Sequence, residues 1–167
     1  RKLMQPAFHR GALDGYAAAI VEVMRVMLGR WRVGAVGDVD VLCRQAALAV
    51  AMRCLYGLDV SDEAESLGHL AAEWVELVTD PGTLLLPFDL PGTAYRRVLR
   101  LAEVLTGRLR ALIERKRAAG GDQRDAMALL LAARDDDGRP LSDDELVAEA
   151  VSLFIAGHET MAMTLTW

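Results

Sequence analysis

Apolar positions recur at helical spacing along almost the whole chain. Tyr16, Ile20, Val23, Met24 and Met27 fall on one face, which predicts an amphipathic helix from Ala12 to Trp31. Residues 33–37 read as a turn, and Val39 reads as a short strand edge. The run from Val41 to Tyr56 is apolar almost all round, with Arg44, Gln45 and Arg53 as its polar marks. That pattern predicts a buried helix, ended by Gly57 as a C-terminal glycine. Cys43 and Cys54 lie in this run and read as small core residues. Ser61 or Asp62 caps the next helix, which runs to Val78 and is closed by Pro81-Gly82. Thr93 caps a long basic helix from Ala94 to Ala119, which stops at Gly120-Gly121. A shorter helix follows from Gln123 to Arg134.

The last element carries the clearest signals. Ser142-Asp143-Asp144-Glu145 fits a capping box, with Leu141 and Leu146 in the staple positions around it. Asp143 and Asp144 complement the positive end of the helix dipole. From Leu146 onward apolar residues appear on every side, as in a buried helix. If it is continuous to Trp167 it is about 39 Å long. Five or six helices and no repeat make this an all-α chain.

Composition narrows the function classes. The 167 residues fit one domain or a large part of one. A net charge of −5 argues against a nucleic-acid binder. Two cysteines without a pattern suit a reducing compartment, and the expected location is cytoplasmic. No signal peptide is visible, and no apolar run reaches the length of a transmembrane segment, the stretch 146–157 being broken by Glu149. No metal-ligand cluster is expected. Asp135-Asp136-Asp137-Gly138 lacks the EF-hand ligands, because Ala133 and Asp144 stand where that loop needs an acid or amide and a glutamate. Arg108, Arg110, Arg115, Lys116 and Arg117 read as a solvated helix face, and His9 and His69 as surface histidines.

Within the last helix, Gly157, Glu159 and Thr160 are poor choices for a buried helix interior. Glycine there costs about 1 kcal/mol relative to alanine. A buried carboxylate needs a partner, and a threonine can bond back to its own helix. A zinc-protease reading of His158-Glu159-Thr160 fails, since position 162 is alanine rather than the second histidine. Two readings stay open. In one, Glu159 pairs with an arginine and Thr160 bonds its own helix, both for structural reasons. In the other, the glycine lets a flat cofactor approach the backbone, and the acid and alcohol relay protons to bound oxygen.

Ala156-Gly157-His158-Glu159-Thr160 resembles the I-helix signature of the cytochrome P450 superfamily, the heme-thiolate monooxygenases; Met161 departs from the Thr or Ser that often follows. The stretch Asp137 to Leu146 is similar to the family's lead-in to that helix. Arg1-Lys2-Leu3-Met4-Gln5-Pro6-Ala7-Phe8 resembles its C helix, Arg1 matching the arginine that stands five residues before the proline. The resemblance covers essentially the whole chain. It implies a partial P450 domain over 1–167, from the C to the I helix, without the N-terminal part and without the C-terminal loop whose cysteine ligates heme. Neither Cys43 nor Cys54 has that loop's context, so the fragment alone is expected to be inactive.

For the parent protein the resemblance implies heme b and monooxygenation of an apolar small molecule with O2 and two electrons. The implied electron donor is a separate ferredoxin or flavodoxin, as no flavin or iron–sulfur motif is present. It implies catalytic roles for Glu159 and Thr160, and contact of Ala156 and Gly157 with the heme. Arg1 would pair with a heme propionate. Leu153, on part of the Ala156 face, would touch substrate. Leu86 and Phe88 would do so from an apolar loop, residues 83–91, in the position of the F–G loop over the substrate entrance. His158 stands at the variable position of the signature and has no implied role. The alternative is a non-catalytic helical binding or regulatory module in which Glu159 and Thr160 are structural.

Overall fold

The computed structural model describes residues 9–59, 61–119, 125–135 and 137–167. Seven helices occur among them: α1 (Arg10–Gly29), α2 (Val39–Tyr56), α3 (Asp62–Thr79), α4 (Pro81–Leu85), α5 (Ala94–Ala119), α6 (Ala126–Ala132) and α7 (Asp143–Thr166). The all-α expectation holds. An isolated antiparallel bridge between Arg134 and Pro140 closes the turn before α7.

Local chemistry sets the boundaries. Val39 opens α2 instead of forming a strand edge, because the Asp38 side chain accepts from the amides of Asp40 and Val41 and starts the helix there. α1 begins two residues earlier than the apolar pattern suggests, since the imidazole of His9 accepts from Gly11 N and caps it. Pro81-Gly82 does not simply close α3. Pro81 opens the one-turn helix α4, capped by Asp80, so the first third of the apolar 83–91 segment is helical. Ser61 and Thr93 cap α3 and α5 as expected. Gln123 lies outside the described residues, and α6 starts at Ala126 behind the Asp125 cap. The capping box of α7 is fully formed. Ser142 Oγ accepts from Glu145 N at 3.3 Å, and Ser142 N donates to Glu145 Oε2 at 2.8 Å. Hydrogen bonds from the Ser142 backbone and hydroxyl hold the Glu145 carboxyl below the usual carboxylate range.

α2 is the central helix. It packs against α1, α3, α6 and α7, and α5 closes the core from the side of α3, α6 and α7. Met52, Leu109, Ile113, Met127, Leu130, Leu146 and Phe154 are the largest fully buried side chains. Burial of each such residue contributes about 1.5–3 kcal/mol. Gly68 lets α3 close on α2, since a Cβ there would come within 2.5 Å of the Leu48 side chain. Tyr56 Oη crosses the core to donate to the carbonyl of Ala150 at 3.0 Å, which joins α2 to α7, and burial pushes the phenol pKa upward. Cys43 and Cys54 are half-buried at the margin of this core rather than inside it.

The basic face of α5 is less solvated than its sequence suggests. Arg110 and Arg117 each bond one of the two aspartates that open α7, both at 2.6 Å, and Arg115 pairs with Glu63. Lys116 leaves that face altogether. Its ammonium meets Asp125 at 2.7 Å with both side chains under a tenth exposed. Gly57 makes the space: its φ is +66°, and a Cβ would lie 2.5 Å from Asp125 Oδ2 and 2.9 Å from Lys116 Nζ.

By length and composition α7 is long and apolar enough to cross a membrane, with a mean hydropathy of 1.2 over its best 18-residue window. Glu149 does not interrupt it as the sequence reading supposed. Core helices pass the same measure, and α7 packs against α2, α3, α5 and α6.

Candidate functional site

α7 stays α-helical through Ala156-Gly157-His158-Glu159-Thr160. The helical turn divides the motif between two faces. His158 points inward, 8% exposed, and its ring stacks on Phe154 at a centroid distance of 5.1 Å. Burial lowers the His158 pKa, and the nearby Glu159 carboxylate opposes that shift. Ala156 and Thr160 are exposed one turn apart on the outer face, with Gly157 half-buried beside them. A Cβ built on Gly157 meets nothing within 4 Å, so the backbone there stands open to an approaching group.

The two polar side chains of the motif are both engaged. Thr160 Oγ1 donates to the Ala156 carbonyl at 2.6 Å. Glu159 Oε1 accepts from Arg44 Nη1 at 3.1 Å, and its Oε2 lies 4.0 Å from His158 Nδ1. Arg44 is braced in turn by Asp40 Oδ2 at 2.9 Å, and Asp40 accepts from the Thr166 hydroxyl at 3.2 Å. A polar chain therefore links the start of α2 to the exposed edge of α7. Hydrogen bonding to Arg44 holds the Asp40 carboxyl below its usual range, and the same contact raises the Arg44 guanidinium. Arg44 and Asp40 were not foreseen as site residues. Their four-residue spacing on a helix was the available signal, but the long-range contact to Glu159 leaves none.

The other expected site residues are scattered. Leu153 is buried in the core cluster, because the 60° offset between positions 153 and 156 turns it inward while Ala156 faces out. Leu86 and Phe88 are each 60% exposed in the segment after α4. They are not folded under the domain, and α4 touches α3 and α5 but not α7. Arg1 lies outside the described residues.

These residues fit one wall of a heme site. The outer face of α7 offers a small side chain, an open backbone and a hydroxyl in a row. A thiolate to ligate the heme is a different matter. Burial raises the Cys54 thiol pKa, and Cys43 Sγ donates to the Leu165 carbonyl at 3.6 Å. No group of three or more His, Cys, Asp and Glu able to hold a metal ion occurs among the described residues.

The cytochrome P450 family model matches residues 1–167. The chain belongs to the cytochrome P450 family. It is 32% identical to pentalenene oxygenase of Streptomyces avermitilis, an alignment covering 100% of this chain and 38% of that protein. It is 30% identical to cyclooctat-9-en-7-ol 5-monooxygenase of Streptomyces melanosporofaciens, covering 100% and 37%. Among solved structures, retinoic acid-bound cyanobacterial CYP120A1 superposes with a TM-score of 0.82 at 27% identity, over 98% of this chain and 36% of that one. This P450 chain thus spans little more than a third of the length of the relatives it matches.

Proposed function

We propose that this chain is the C-to-I-helix portion of a heme-dependent monooxygenase that hydroxylates an apolar organic substrate. The observation that carries the reading is the outer face of α7, where Ala156, the open backbone of Gly157 and the Thr160 hydroxyl stand together. Ala156 and Gly157 would hold the heme, with Arg1 as a propionate partner. Heme b, when bound, supplies the activation of O2 by two electrons.

The chain's own residues manage protons. In its resting rotamer Thr160 directs its proton to the Ala156 carbonyl and turns its lone pairs to the open face. There it accepts a hydrogen bond, and by rotating about its C–O bond it can donate one. Glu159 is 47% exposed, so its carboxylate exchanges protons with water, while Arg44 fixes one of its oxygens. Proton entry at Glu159 and delivery at Thr160 is positioned acid–base chemistry. Leu86 and Phe88 would meet substrate at the entrance, and Leu153 would act from behind the Ala156 face. Relatives named as oxygenases of pentalenene and of cyclooctat-9-en-7-ol support an apolar substrate. A ferredoxin or flavodoxin would donate electrons, and the cytoplasm would be the location.

A second reading, a helical binding or regulatory module, draws on two contacts: Thr160 bonds its own helix, and Glu159 pairs with Arg44. Thr160→Ala in the full-length protein separates the two. The monooxygenase reading expects heme and substrate binding to persist, while proton delivery slows on the order of 10²–10⁴-fold. Electrons then end in hydrogen peroxide, and product per electron pair falls. Unchanged coupling together with lower thermal stability would return Thr160 to a structural role.

A further inference from the structure

Two successive residues of α7 converge on one residue of α2. Glu159 Oε1 accepts from Arg44 Nη1 at 3.1 Å, and the Arg44 backbone accepts a hydrogen bond from the His158 ring. Neighbours on a helix point about 100° apart. The length of the glutamate side chain closes that angle, so its second oxygen, Oε2, lies 4.0 Å from His158 Nδ1. Arg44 therefore holds one carboxylate oxygen, and the imidazole stands beside the other.

The two partners of Glu159 differ in kind. Arg44 keeps its charge at every working pH. It is 44% exposed and braced by Asp40 Oδ2 at 2.9 Å. The His158 side chain is 10% exposed, and its ring lies flat on Phe154, 11° from parallel, so packing holds it in place. Imidazole is the side chain whose charge changes near neutral pH. While the ring is neutral it makes no ion pair, and Oε2 stays open to water. Once protonated, it has to close by about 1 Å to reach the ~2.8 Å of a charge-assisted bond. The groups that face it set the balance. Burial and the Arg44 guanidinium oppose protonation, Glu159 and the Arg44 backbone favour it, and burial is the largest influence. The charge therefore arrives below the ordinary value of 6.5.

We infer that His158 is a positioning residue that closes the proton entry at Glu159 when it is protonated, Arg44 and His158 then holding one carboxylate oxygen each. The inference rests on Glu159 as the place where protons enter. Its signature runs against the supply of protons. A route limited by supply alone gains as pH falls, and this one shuts.

The test uses the full-length protein and two readouts. In the first, product per electron pair is measured from pH 7.5 to 5.5. The parent should lose about twofold or more at the acid end, as the proton path is deprived of one partner. His158→Gln should stay level across the range, and so should His158→Phe, which keeps the stack on Phe154 if glutamine disturbs the core. In the second, 15N-histidine NMR of the reduced, carbon monoxide-bound protein follows the His158 ring without turnover. Glu159→Gln removes the carboxylate and should move the His158 titration to lower pH. The inference is overturned by a parent that stays level, by an equal acid loss in both His158 variants, or by a His158 titration that Glu159→Gln leaves unmoved. Unchanged coupling in Thr160→Ala would instead remove the proton path itself, whatever the histidine does.

Discussion

The two faces of α7 obey different rules. The inner face carries Leu146, Ala150, Leu153, Phe154 and His158 and is closed by packing and one buried hydrogen bond from Tyr56. The outer face carries Ser152, Ala156, Thr160 and Thr164, all exposed. Three of these hydroxyls, Ser152, Thr160 and Thr164, bond back to the carbonyl four residues earlier, at 2.6 to 2.8 Å. The inner face holds the fold together. The outer face adds little to it, and that is what makes its residues available for chemistry. One helix can serve both purposes because its residues are parted by angle, not by distance along the chain.

Substitutions on the two faces should therefore fail differently. Phe154→Ala, at a side chain only 2% exposed, should lower the unfolding free energy by about 3–5 kcal/mol in urea denaturation. A loss under 1 kcal/mol would mean that the inner face is not the stabilising one. Gly157→Ala tests the opposite face. A Cβ there meets no atom, so the helix should gain about 1 kcal/mol. The same methyl should weaken heme binding in the full-length protein, measured by hemin titration. Stability and heme affinity rising together would break the division between the faces.

The smallest effect concerns the boundary between them. His158 has its pKa lowered from an ordinary value of 6.5, chiefly by burial. The unfolded chain therefore binds its proton first as pH drops. The stability that neutral His158 contributes is complete above pH 6.5 and is lost as pH falls from there through the folded-state pKa. Thermal melts from pH 7.5 to 5.5 should show this slope in the parent and a flatter profile in His158→Phe. Equal slopes would place the titrating group elsewhere.

Much of this was legible in the sequence where the signal is local. The Ser142–Glu145 capping box and the Gly57 terminus depend on a few adjacent residues, and both are present. The Ala156–Thr160 motif could be read because its residue types contradict a buried helix. What escaped depends on distant partners. Nothing near Lys116 announces that it meets Asp125 at the end of α2. Nothing near Glu159 names Arg44, 115 positions earlier. Leu153 and Ala156 differ by a rotation that becomes a buried and an exposed side chain only once α2 is in place.

The Gly57 corner has a consequence for how this sequence can change. Three segments meet there through a residue with no side chain and two charges with no room to move. Replacing Gly57 strains a left-handed backbone and displaces the ion pair at once. Neutralising Lys116 alone takes the opposite charge away from a buried carboxylate. No single step away from the present arrangement is inexpensive, so Gly57, Lys116 and Asp125 should vary together or not at all. Their identities, scattered over almost seventy positions, form one heritable unit.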